Sequence, residues 1–354
     1  MKGKEGSRVS KPKILVFSAI VMLLVLTLSG CSGKKEALYV YNWGDYIDES
    51  VIAEFEKETG IKVVYDTFAT NEDMYVKIKS GGSQYDLIFP SDYMITRMRD
   101  EGMLEKINLA NIPNFKYIDD RFKGNDYDPK NEYSVPYMWG TIGILYNTTM
   151  VDEPVDSWDI LWDPKYAKQI IMLDSQREAI GVALIRLGYS INSTDVNQLN
   201  EAAELLKEQK PLVLAYALDE TKDKMVAGEA ALALVWSGEA LYAMDENPDL
   251  DYAIPQEGTN LWFDGMCIPK GAKNKEGAEK FIDFLCRTDI AFRNADYTGY
   301  ATPHTEAREL LDPEIRNNKA AYPDEEDLVN AEVFVSLGEV VREYDRIWTE
   351  VKAF

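Results

Sequence analysis

The sequence predicts an α/β protein of two lobes. Three observations carry this reading. Strand-like and helix-like segments alternate from Leu38 onward, they fall into two blocks, and no flexible linker or internal repeat separates the blocks. Alternating β and α segments build mostly parallel, helix-covered sheets. Two such blocks without a linker fit two lobes joined by several chain crossings.

The first block opens with the β-rich run Leu38-Tyr39-Val40-Tyr41. Asp48 is placed to cap a helix carrying Val51, Ile52, Phe55 and Glu58, with Gly60 at its C′ position. Residues 61–65 read as a strand and 72–80 as a helix stopped by Gly81-Gly82. Residues 86–89 read as a buried strand ended by Pro90, and a helix then runs to Glu101. Residues 111–133 carry little periodicity and read as a wrapped loop. The second block starts near Thr141, with strands over 142–146, 170–173, 212–216, 230–235 and 251–254 and a helix over 196–208. Met266-Cys267-Ile268 follows, then a helix bearing Ala278, Phe281, Ile282 and Leu285. A C-terminal helix sets Val340, Tyr344, Ile347, Trp348 and Val351 on one face.

Ahead of both blocks, Lys2, Lys4, Arg8, Lys11 and Lys13 form a basic head before an apolar run from Ile14 to Leu28. That run suits the hydrophobic region of a signal peptide and is short for a membrane span. It ends at Leu28-Ser29-Gly30-Cys31, which resembles a bacterial lipobox. The expectation is a lipoprotein signal peptide over 1–30, a lipidated Cys31, a tether over 31–36, and a place outside the cytoplasm on the cell membrane.

The whole chain has a net charge of −23; without residues 1–30 it keeps 33 basic and 60 acidic side chains, a net −27. Such a surface repels nucleic acid and attracts cations. Cys267 and Cys286, outside any C-x-x-C pair, read as two buried thiols.

The inventory argues against an enzyme. His304 is the one histidine, and G-x-S-x-G, H-E-x-x-H, the P-loop and G-x-G-x-x-G are all absent. His304, before a predicted helix, reads as a capping or surface residue. No ligand spacing supports a metal, and no cofactor is expected.

Open α/β sheets bind ligands at the carboxyl ends of their strands. There the chain sets aromatics beside acids: Trp43 with Asp45 and Tyr46, Tyr93 with Asp92, Trp236 with Glu239, and Trp262 with Asp264. Aromatic faces cover methylenes and attract ammonium groups, at about 0.5–2 kcal/mol per cation–π contact. Carboxylates replace the water lost by a buried cation. Each aromatic taken alone is equally open to core packing.

Four segments carry a specific resemblance: Tyr41-Asn42-Trp43-Gly44-Asp45-Tyr46, the run from Tyr85 to Tyr93, the run from Tyr133 to Gly140, and Gly299-Tyr300-Ala301-Thr302-Pro303. In these segments, their order and their separation, the chain is similar to the spermidine/putrescine-binding proteins of bacterial ABC importers. The resemblance implies a two-lobed type II periplasmic-binding-protein fold with a hinge and a central ligand cleft. The implied lobes are residues 37–141 with 264–309, and 142–263 with 310–354. It implies a polyamine ligand, permease subunits of an ABC transporter as partners, and a set of cleft residues. Trp43, Tyr46, Ser91 and Tyr93 would line the cleft from the first lobe. Glu178 would take a terminal ammonium, Trp236 and Trp262 would sandwich the aliphatic chain, Asp264 would hold an amine centrally, and Tyr300 would add a hydroxyl. Ser175 stands where spermidine binders resemble Asp, and Phe334 where they have an amide. Glu239 matches an acid of putrescine-binding relatives, where spermidine binders have a small hydroxyl. Asp264 and Glu239 together are therefore expected to hold one ammonium of a short diamine. A same-fold receptor for another cationic solute, or a ligand sensor for a membrane signalling partner, remains the alternative.

Overall fold

A computed structural model describes residues 1, 3, 37–81 and 84–354. The signal peptide, the Cys31 lipidation site and the tether over 31–36 lie outside the described residues. From Ala37 onward the chain forms one compact unit.

Its first elements are β1 (Leu38–Trp43), α1 (Glu49–Thr59), β2 (Val63–Phe68), α2 (Asn71–Lys79), β3 (Leu87–Ile88) and α3 (Asp92–Asp100). α1 is bounded as its sequence dictates. The Asp48 side chain accepts the Ser50 N–H, and Gly60 ends the helix in the left-handed conformation at φ 67°. β1 pairs in parallel with both β2 and β3. Residues 109–122 form three short 3-10 turns, in keeping with a wrapped loop.

The long strand β4 (Ser134–Asn147) departs from expectation, because the second block was placed to begin near Thr141. Pro136 sits at a register shift, where a missing N–H is tolerated. Gly140 and Gly143 lie beneath aromatic rings. These residues mask the β signature. β4 then changes partners along its length. Residues 134–141 pair antiparallel with β9 (Leu261–Cys267), whereas 142–147 pair with strands of the second block.

That second block contains β5 (Ile170–Leu173), α4 (Gln176–Arg186), α5 (Val196–Gln209), β6 (Val213–Ala217), α6 (Glu220–Val226), β7 (Leu232–Trp236), α7 (Ser237–Glu246) and β8 (Leu250–Ala253). After β9 come α8 (Lys275–Leu285), α9 (Thr288–Thr298), α10 (Thr305–Leu310), α11 (Pro313–Arg316) and α12 (Val341–Ala353). The strands run in the order β2-β1-β3-β9-β4-β7-β5-β6, with β8 added on β4. β5 and β7 are buried on both faces. Ile170, Met172, Leu232 and Leu234 join one core, while Ile171, Ala233 and Val235 join another. This is why they read as continuous apolar runs rather than alternating ones. On α12, Tyr344, Ile347 and Val351 pack into a core with Leu184, Leu199 and Leu206, realising the predicted apolar face.

Cys267 and Cys286 are free, buried thiols. His304 is a helix cap and not a surface residue. Its Nδ1 accepts the Ala307 N–H at 3.1 Å and its Nε2 lies 3.1 Å from the Cys286 carbonyl. That pair of contacts selects the neutral tautomer with the proton on Nε2, and burial lowers its pKa. Among the described residues, no helix is long and apolar enough to cross a membrane.

Candidate functional site

Several strand ends and the strand β9 converge on one cavity. β1 ends in Trp43, β3 is followed by Ser91, and β7 ends in Trp236. Trp262 and Asp264 differ from expectation, since they lie within β9 and not beyond a strand. A strand points residues two apart to the same face, so both side chains enter the cavity. The register sets Trp262 opposite Gly140, and a Cβ at Gly140 would stand 2.6 Å from the Trp262 ring. Glycine is therefore what lets the indole lie flat across β4. Gly238 does the same for Tyr300, whose ring would be 2.3 Å from an added Cβ.

The structure gathers all ten residues singled out from the sequence on this one cavity: Trp43, Tyr46, Ser91, Tyr93, Glu178, Trp236, Glu239, Trp262, Asp264 and Tyr300. The aromatics brace one another. Tyr300 meets Tyr46 edge-on at 5.2 Å and Trp262 at 5.3 Å. The Trp43 indole donates to the Phe89 carbonyl at 2.8 Å, which fixes the ring against the end of β3.

Asp264 is only 5% exposed. Tyr46 Oη donates to its Oδ2 at 2.8 Å, while Oδ1 has no hydrogen-bond partner in the protein. Burial pushes its carboxyl up to about 7; the Ser91 and Tyr46 hydroxyls pull it down, and the Glu178 charge pushes it further up. Glu178 is also raised by burial, against the pull of the Ser175 hydroxyl that bonds its Oε2. Ser175 thus serves its neighbour three residues on. Phe334 lines the cavity too, and its ring carries the Arg177 guanidinium at 4.1 Å.

Four partners escaped the sequence reading. Glu72 accepts the Tyr93 hydroxyl at 3.0 Å, and Asp92 accepts the Tyr93 and Phe263 N–H groups at 2.6 and 3.0 Å. Asp219 faces Gly44 so closely that a Cβ there would meet its Oδ2 at 2.8 Å. Lys222 reaches Glu239 Oε1 at 3.4 Å and Asp45 Oδ2 at 3.2 Å. Asp92 had been noted only as a neighbour of Tyr93. The others are polar first-turn or loop residues with no local signal. Glu239 is correspondingly not a free acid: one oxygen faces Lys222 and Oε2 is buried without a partner. Burial raises it to about 7, with Lys222 opposing and Asp219 adding to the rise.

Six carboxylates line the cavity, and no Lys, Arg or His stands among its lining residues. The arrangement can desolvate an apolar chain between indole and phenol rings and neutralise positive charge on it. No group of side chains able to hold a metal occurs among the described residues. A cavity of this kind, at the strand ends of a two-lobed sheet, defines a receptor for a small cationic solute.

Residues 50–323 match the bacterial extracellular solute-binding protein family, and the chain belongs to it. It is 41% identical over 321 residues to the spermidine/putrescine-binding periplasmic protein of Escherichia coli, covering 90% of this chain and 92% of that one. A protein of Listeria monocytogenes, assigned to a spermidine/putrescine ABC transporter, superposes with a TM-score of 0.88 at 46% identity, over 90% of this chain and 99% of that one. A lipoprotein of Treponema pallidum superposes with a TM-score of 0.79 at 33% identity, over 89% and 99%. These relatives support the type II, two-lobed fold expected from the sequence.

Proposed function

We propose that this chain is the extracytoplasmic receptor of a polyamine importer, binding putrescine or spermidine and delivering it to the permease subunits of an ABC transporter. One observation carries the reading. The cavity sets buried carboxylates, with Asp264 Oδ1 unpartnered, against aromatic walls and has no basic side chain in its lining. Burying such acids is costly until a cation pairs with them. A flexible diamine supplies two ammonium groups for Asp264 and Glu178, and its methylenes fit between Trp236 and Trp262. The ten cavity residues named above are the proposed ligand contacts. The names of the relatives point to the same ligands.

Closure would bring together lobes of residues 37–141 with 264–309 and 142–263 with 310–354, bending about β4, whose pairing changes after Thr141. Lipidation of Cys31 would hold the receptor on the membrane, a reading supported by Leu28-Ser29-Gly30-Cys31 and by the lipoprotein relative.

Thermal unfolding with added ligand tests the proposal. A ligand confined to the native state stabilises it by about 2.7 kcal/mol at a hundredfold excess over Kd. Putrescine or spermidine is expected to raise the midpoint, while glutamate and a neutral sugar leave it in place. A midpoint that neither polyamine moves refutes the function. One that another organic cation moves alone identifies a same-fold receptor for that solute.

A further inference from the structure

We propose that Lys222 supplies the cation for the Glu239 end of the cavity from within the chain, so that this end selects against a third ligand ammonium. The inference deepens the polyamine reading and rests on it.

The cavity acids divide by what already satisfies them. Asp92 is held by two backbone N–H groups, and Glu72 by the Tyr93 hydroxyl. Asp264 and Glu178 are hydrogen-bonded by neutral hydroxyls, from Tyr46 and Ser175, and the Arg177 charge also acts on Glu178. The acids at the far end are different. Glu239 and Asp45 share the Lys222 ammonium, which also opposes the rise that burial gives the Asp219 pKa. Lys222 comes from α6, is only 12% exposed along its side chain, and does not itself line the cavity. It stands beside the wall with its charge on the wall's carboxylate. The pairing spans 177 residues to Asp45, on the loop after β1, so it forms only when that loop and α6 are drawn together. Gly44 permits the approach by giving Asp219 room.

The consequence is a charge count. Asp264 and Glu178 form no ion pair among the described residues, with Arg177 acting on Glu178 through its charge, and this suits ligand ammonium groups. A third ammonium directed toward Glu239 meets an acid whose Oε1 already faces Lys222 and is repelled by the Lys222 charge, while Asp45 and Asp219 draw on the same lysine and keep this end net negative. An ammonium that exchanges water for carboxylates already drawn to Lys222 gains less there than it would without that lysine. Lys222 thereby favours a diamine over a triamine. This alters the expectation that Glu239 joins Asp264 on one ligand ammonium.

The test measures putrescine and spermidine affinities by calorimetry on wild type, Lys222→Met and Lys222→Arg. Lys222→Met is expected to shift the affinity ratio toward spermidine by about tenfold or more, while Lys222→Arg, which keeps the charge, stays near the wild-type ratio. Lys222→Gln replaces Lys222→Met if the latter does not fold. A ratio within about twofold of wild type in the neutral variants overturns the role of Lys222 and leaves the polyamine function standing. A ratio that moves equally in Lys222→Arg also overturns it, since the charge would then not be the cause. Failure of wild type to bind either polyamine is the separate failure of the function itself.

Discussion

The buried carboxylate of Asp264 makes ligand binding a proton-linked event whose size can be worked out. Its pKa stands at about 7 in the unliganded protein, against 3.8 for an ordinary aspartate, and burial is the main cause. The difference corresponds to about 4 kcal/mol between the two protonation states. The sign follows from which state holds the proton. Between about pH 4 and 7 the folded chain keeps a proton that the unfolded chain has lost, so this group alone makes the unliganded protein less stable as pH rises through that window. A bound ammonium reverses the balance by stabilising the carboxylate. Binding to the protonated form must therefore release its proton. With a pKa of about 7, Asp264 alone makes putrescine affinity fall about tenfold from pH 8 to pH 6, with about half a proton released per ligand at pH 7, and Glu178, also raised by burial, adds to the fall. The ligand's own amines stay charged over this range, being close to lysine in character. Glu239, also at about 7, would make the fall about hundredfold if it met a ligand ammonium as well. With Lys222 serving Glu239, the fall is expected to come from Asp264 and Glu178 alone. Calorimetry at both pH values, in two buffers of different ionisation enthalpy, measures the affinity and the proton release together. Asp264→Asn should flatten the profile. An affinity independent of pH between 6 and 8 would refute the placement of a ligand ammonium on Asp264.

Further outcomes can be checked directly. Asp264→Asn should weaken putrescine by about 2–5 kcal/mol, measured by titration, because a desolvated ammonium loses its charged partner. Gly140→Ala forces a Cβ to 2.6 Å from the Trp262 ring and 2.5 Å from Ser237 Oγ. It should cost about 1–3 kcal/mol of stability in denaturant melts and weaken ligand binding, and near-wild-type values for both would show that the indole is not held there. Cys31→Ala should move the protein from the membrane to the soluble fraction and abolish fatty-acid labelling. A variant that still fractionates with the membrane and still labels disproves lipidation at Cys31.

Local chemistry made much of the fold legible before any coordinates. Asp48 and Gly60 bracket α1 because capping and left-handed φ are decided within a few residues. The apolar runs of β5 and β7 announced buried strands, and the spacing on α12 announced its packed face. The ten cavity residues were legible for two reasons. Aromatic-acid neighbours at strand ends pointed to some of them, and the resemblance to a known family supplied the rest. β4 was misjudged because a proline at a bulge and glycines under rings obey the demands of their neighbours in space, which no local pattern records.

Charge compensation was the other matter left to tertiary structure. Glu239 read from the sequence as a ligand acid, yet the Lys222 that it shares with Asp45 depends on α6 meeting the loop after β1. Likewise Ser175 and Glu72 gained their parts only when α2, α3 and α4 faced one cavity. The sequence by itself determined which segments bury, where helices begin and end, and that acids and aromatics would meet at strand ends, because those follow from short-range sterics and hydrophobic periodicity. Only the tertiary structure decided which carboxylates keep an unmet charge, because a counter-ion acts across space, at a distance of a few ångströms that the fold alone sets.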